Sequence, residues 1–168
     1  MGGDLLLDTV ALWGLVFINS KYHRPVARLV RGRRVIVHAI CLHEMVYPAY
    51  KLESRGGRDL DAGMRVIGSL RRSYANLAQN YGFLYGVERL TILPLTLDDL
   101  LEAYRLVLEE RDIFVEERDG YWPSVVDAVV AHVWRRLGAE LITSDEKLMA
   151  YGDRHGLPYR RIAPAEGD

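Results

Sequence analysis

Apolar positions along the chain fall into two spacings that alternate. Short, nearly unbroken apolar or β-branched runs cover 4–7, 34–40, 90–93, 140–143 and 159–162, the pattern of strands buried on both faces. Between them lie helical spacings. Leu97, Leu100, Leu101, Tyr104, Val107 and Leu108 share one face, opened by the capping signature Thr96-x-x-Asp99. A second helix is read from the segment that begins Trp122-Pro123-Ser124, where Ser124-x-x-Asp127 repeats the signature ahead of Val125, Val129, His132 and Val133. Gly138 and Gly156 sit where C-terminal caps belong. Strands alternating with helices predict an α/β fold of three layers, α/β/α, around a central, mostly parallel sheet of about five strands. One stretch is irregular: Glu53-Ser54-Arg55-Gly56-Gly57-Arg58-Asp59 interrupts the pattern and predicts an extended helical arm over 53–88 within a single domain spanning 1–168.

Four carboxylates are attached to these apolar elements. Asp8 follows Leu5-Leu6-Leu7, Glu44 lies about a turn into the helix after the second strand, Asp127 opens a helix, and Asp145 follows Leu141-Ile142-Thr143-Ser144. In open parallel sheets ligands bind at the carboxyl ends of the strands, so Asp8 and Asp145 meet there if their strands are neighbours. Asp127 would enter from a helix N-terminus, which favours negative charge. Four carboxylates without a cation repel one another, and some would have to stay protonated at neutral pH. A divalent ion removes that conflict, and an all-oxygen donor set favours Mg²⁺ or Mn²⁺ over Zn²⁺. Taken singly, Asp127 also reads as an N3 residue and Asp145 as an N-cap before Glu146-Lys147-Leu148.

Composition narrows the class further. The 168 residues suffice for one sizeable core, with 49% hydrophobic content. No apolar stretch approaches the roughly 20 residues of a membrane span, and Met1-Gly2-Gly3-Asp4 lacks a basic signal segment, so a cytoplasmic protein is expected. Cys41, the single cysteine, lies in an apolar run and reads as a buried, inert thiol. A net charge of -1 leaves nucleic-acid binding to local patches.

The four motifs together resemble the PIN-domain proteins of the VapC type. Leu5-Leu6-Leu7-Asp8-Thr9 matches the first motif, Glu44 the second, Asp127-Ala128 with the helix through Leu137-Gly138-Ala139 the third, and Leu141-Ile142-Thr143-Ser144-Asp145 the fourth. The resemblance runs from about Asp4 to Ile162. Two departures stand out: Val10 occupies a position usually held by Asn or Ser, with Thr9 as the available substitute, and 53–88 is longer than in a minimal member. The resemblance implies a metal-dependent endoribonuclease, commonly a toxin inhibited by a small antitoxin, and a homodimer. It assigns Asp8, Asp127 and Asp145, with Glu44, to one or two Mg²⁺ or Mn²⁺ ions. Thr9, Thr143 and Ser144 would orient those ligands.

Cationic candidates for RNA are the pair Arg71 and Arg72 beside Tyr74, and the cluster Arg28, Arg31, Arg33 and Arg34, which reads better as a solvated helix end. His38, His43 and His132 lie in apolar elements and read as satisfied core histidines. Two other classes compete with the toxin nuclease. One is a catalytically silent interaction module, or a related nuclease that processes RNA without an antitoxin. The other is a phosphoacceptor domain, which lacks here both a paired acid beside Asp8 and a suitable lysine.

Overall fold

The computed structural model describes residues 3–17, 20–44 and 86–164. The chain runs β1 (Leu5–Leu7), α1 (Thr9–Val16), α2 (His23–Val30), β2 (Arg34–His38), α3 (Ala39–Glu44), β3 (Arg89–Leu93), α4 (Leu97–Glu109) and α5 (Arg111–Phe114). It continues with β4 (Val115–Glu117), β5 (Tyr121–Pro123), α6 (Val125–Leu137), β6 (Glu140–Thr143), α7 (Glu146–His155) and β7 (Tyr159–Arg161). The helical arm expected over 53–88 and the pair Arg71 and Arg72 lie outside the described residues, apart from 86–88.

Five strands form one parallel sheet in the order β3-β2-β1-β6-β7, flanked by helices in the predicted α/β/α arrangement. The chain moves outward from β1 through β2 to β3, then returns to the other side of β1 with β6 and β7. The order therefore reverses between β1 and β6, and a ligand site is expected at their carboxyl ends. β1 is central, and Leu5, Leu6 and Leu7 are at most 1% exposed, which is why this strand shows no polar alternation. Leu7 lies opposite Ile142, so Asp8 follows in register with Thr143.

Between α6, α7 and β7 the packing is aromatic. Trp134 of α6 is fully buried, donates from Nε1 to the carbonyl of Ala139 at 2.9 Å, and packs near Tyr151 and Tyr159. Gly152 of α7 leaves room for that indole, since a Cβ there would lie 2.4 Å from Trp134 Cη2. Gly138 ends α6 in the left-handed conformation, φ 62°, a cost-free geometry only without a side chain.

Several local expectations change. β2 stops at His38 because α3 begins at Ala39, so the run to Ile40 is a strand followed directly by a helix. Tyr121–Pro123 pairs antiparallel with Val115–Glu117 in a hairpin absent from the sequence reading, and α6 starts only at Val125. Thr96 and Asp99 form the predicted capping box, whereas Ser124 makes no side-chain cap and instead accepts from Lys147 Nζ at 3.0 Å.

The predicted apolar face of α4 is largely in solvent: Leu97 is 70% and Leu108 72% exposed, and Leu101 and Tyr104 are exposed too. The helix is turned so that Asp99, Ala103, Leu106 and Val107 face inward. On that inward face buried Asp99 lies 3.5 Å from His38 Nε2 and from Arg136, and 3.8 Å from His132. His38 is buried as expected, His132 is half-buried and His43 is exposed. Arg33 and Arg34 hold the main chain of Gly3 and the side chain of Asp4, so the second basic cluster has structural work there. Among the described residues no helix is long and apolar enough to cross a membrane.

Candidate functional site

Asp8, Glu44, Asp127 and Asp145 come from four separate elements and line one cavity of about 290 Å³, together with Thr9, Val10, Val130 and Leu148. The sheet order accounts for the meeting. Asp8 ends β1, Asp145 follows the adjacent β6, Asp127 sits in the first turn of α6, and Glu44 closes α3.

Each acid is fixed by local chemistry. Asp8 is the N-cap of α1 and accepts from the Ala11 amide at 2.7 Å through Oδ1. Its Oδ2 accepts a short hydrogen bond from the Thr143 hydroxyl. Thr143 in turn accepts from the Asp145 amide at 2.9 Å, so one buried hydroxyl ties the two strand-end acids together. Asp145 caps α7, accepting from the Lys147 and Leu148 amides at 2.9 and 3.0 Å through Oδ1. The capping role read for Asp145 therefore coexists with a place in the cavity. Thr9 donates a short hydrogen bond to Glu44 Oε2. Thr9 thus orients the second acid, while Asp8, the acid that Val10 leaves without a neighbouring polar side chain, is oriented by Thr143. Ser144 is half-buried and is not among the cavity residues.

Electrostatics follow from burial. Asp8, 3% exposed, has its carboxyl pushed up to about 7, chiefly by burial, with Asp145 and Glu44 adding to the rise while the Thr143 and Ala11 hydrogen bonds oppose it. Asp127 is likewise raised to about 7, first by burial and then by the charge of Asp145, against the pull of Lys147. Cys41 lies beneath them, its thiol pushed up by burial and therefore inert.

Lys147 was not singled out by the sequence reading. Its Nζ lies 3.7 Å from Asp127 Oδ2 and 2.6 Å from Glu116 Oε1, linking the acidic cavity to the β4–β5 hairpin. The available signal is its place two residues beyond Asp145 in a chain with few lysines.

The donor set is all oxygen, which fits a hard divalent cation. Among the described residues no three acidic, histidine or cysteine groups are gathered closely enough to hold an ion as they stand. Among the described residues Asp8 accepts through both oxygens from protein donors, Asp145 through Oδ1 and Glu44 through Oε2. The raised carboxyls of Asp8 and Asp127 express the same unmet demand for positive charge.

No curated protein matches the chain. Solved structures do, at low identity. A domain of a functionally unknown protein from Methanocaldococcus jannaschii is 15% identical, with TM-score 0.50, covering 99% of this chain and 96% of that one. VapBC2 from Rickettsia felis, solved with a DNA fragment from its promoter, is 14% identical with TM-score 0.53, covering 95% and 99%. FitAcB from Neisseria gonorrhoeae has the same identity and TM-score, covering 95% and 97%. These likenesses concern the fold. The PIN domain model matches residues 5–153, a span that contains all four carboxylates, and the chain belongs to the PIN domain family.

Proposed function

We propose that the chain is a metal-dependent endoribonuclease, the toxin of a VapBC-type toxin-antitoxin pair. The observation that carries this reading is the convergence of four carboxylates on one cavity at the sheet's switch point, two of them with carboxyls raised to about 7. Membership of the PIN domain family supports nuclease chemistry. Similarity over nearly the whole chain to VapBC2 and FitAcB supports an antitoxin partner. A homodimer and a cytoplasmic location belong to the same proposal.

Asp8, Asp127 and Asp145 would hold Mg²⁺ or Mn²⁺, with Glu44 joining directly or through water. When bound, the cation would polarise the phosphodiester and lower the pKa of an attacking water. The chain's own groups prepare that chemistry. Asp127 and Asp8 would have to release their protons to hold a cation, so binding would strengthen as pH rises toward about 7. Thr143 keeps Asp8 and the start of α7 in register while this happens. Glu44, held through Oε2 by Thr9, would orient a water or accept its proton. Lys147 offsets part of the charge on Asp127. Arg71 and Arg72 remain candidates for phosphate contacts.

The test is cleavage of a structured RNA pool with Mg²⁺ or Mn²⁺, with EDTA, and with Asp127→Asn, which keeps size and loses charge. Cutting that needs metal and disappears in the variant is the expected result. Cutting that survives Asp127→Asn sinks the site assignment. No cutting under any condition favours a silent interaction module, a reading to which the protein-bonded state of Asp8 and Asp145 lends weight.

A further inference from the structure

We infer that Trp122 is a stacking platform for an unpaired base of the strand being cut, with Arg118 beside it for a phosphate; this rests on the nuclease reading above. The placement comes from strand register. Glu116 and Trp122 are directly opposed across the antiparallel hairpin, so their side chains share one face. That face is the one turned to the acidic cavity, because Glu116 Oε1 pairs with Lys147 Nζ at 2.6 Å and the same ammonium lies 3.7 Å from Asp127 Oδ2. The indole is thus linked to a candidate metal ligand through its cross-strand neighbour Glu116 and two ion pairs, Glu116–Lys147 and Lys147–Asp127.

Its orientation is also fixed. Trp122 Nε1 donates to the Arg118 carbonyl at 2.9 Å, which occupies the ring edge, while the residue stays 64% exposed. An indole held by its edge with its surface in water is the arrangement base stacking needs, and stacking tolerates any base. Arg118 has its side chain 83% exposed and makes only a long ion pair to Glu116, at 3.9 Å from its Nε. Of the acids around it, Glu116 is matched by Lys147, Asp112 by Arg154, Glu117 lies on the opposite face, across from Tyr121, and Asp119 follows it in the turn. A single-stranded nucleic acid is favoured over a peptide because the surface adjoins the carboxylates that, in the nuclease reading, would hold the cation acting on a phosphodiester.

The experiment uses full-length protein carrying Asp127→Asn and a labelled single-stranded oligoribonucleotide, with and without one abasic position, read by fluorescence anisotropy in Mg²⁺. Adding Trp122→Ala should weaken binding about 5- to 150-fold, Trp122→Phe should keep most of the affinity, and a correctly placed abasic site should weaken the Asp127→Asn protein but not its Trp122→Ala derivative. Equal loss in the Ala and Phe variants, or a fall in melting temperature that matches the loss, would mean a structural role and overturn the platform. So would unchanged binding, which leaves the indole as a protein contact. Cleavage of the same oligonucleotide by the unmodified chain is measured in parallel. Cutting without Trp122-dependent binding removes the platform alone, Trp122-dependent binding without cutting removes the nuclease reading alone, and neither removes both.

Discussion

Raising the pH should destabilise the metal-free protein, and a divalent cation should cancel the effect. In the folded chain Asp8 and Asp127 hold their protons to about 7, whereas in the unfolded chain a carboxyl releases its proton near 3.8. Between those values the folded state binds more protons, so stability falls as pH rises. The stabilisation is complete below about 3.8 and is lost as pH passes through about 7. One such carboxyl costs about 1.4 kcal/mol per pH unit inside the window, hence about 3 kcal/mol between pH 5 and 8. The two carboxyls feel each other, so the pair should deliver between about 3 and 6 kcal/mol, and for a domain of this size the melting temperature should drop by on the order of 10 °C.

Calorimetry in EDTA at pH 5, 6, 7 and 8 measures the fall, and the same scans in millimolar Mg²⁺ should flatten it by stabilising the protein at pH 8 and hardly at all at pH 5. Asp127→Asn supplies the baseline, since its amide does not titrate and its curve should fall about half as steeply. That baseline matters because His38 works in the opposite sense. Burial holds its imidazole below the ordinary 6.5, so it loses stability as pH falls. An unmodified chain whose melting temperature tracks Asp127→Asn at every pH, or Mg²⁺ stabilising equally at pH 5 and 8, would refute the reasoning.

Three further outcomes follow from named contacts. Thr143→Val removes a buried hydroxyl that serves Asp8 and the Asp145 amide at once, and should cost about 1–3 kcal/mol in urea unfolding; a change below about 0.5 kcal/mol would deny the hydroxyl that role. Gly152→Ala puts a methyl 2.4 Å from Trp134 Cη2 and 2.9 Å from Tyr159 Cδ1, so a loss of about 1–3 kcal/mol is expected, whereas an unchanged melting temperature would mean that the aromatic packing is loose there. Lys147→Gln takes away the cation that lowers Asp127, so the acid limb of the pH-rate profile for cleavage should move to higher pH, and an unmoved limb would place Lys147 outside the site's electrostatics.

The sequence by itself determined the five sheet strands and the order in which the carboxylates occur. Burial on both faces of a parallel sheet gives β1, β2 and β6 their unbroken apolar centres, Leu5–Leu7, Val35–Val37 and Leu141–Ile142, and Asp8 and Asp145 follow shortly after two of those runs. Local signals with local causes were equally legible: the capping box of Thr96 and Asp99, and the left-handed glycines 138 and 156.

Tertiary structure decided what depends on neighbours distant in sequence. Adjacency of β1 and β6 is a matter of topology, and only that adjacency lets Thr143 reach Asp8 across 135 positions. Periodicity gave α4 the wrong face: Asp99 points inward toward His38 and Arg136, with Ala103, Leu106 and Val107, while most of the leucine stripe lies in solvent. The β4–β5 hairpin is too short and too polar to carry a strand signal, and its anchor is an ion pair to Lys147 some thirty residues away. Propensity and spacing are properties of a segment, whereas pairing, rotation and the field around a carboxylate belong to the packed whole.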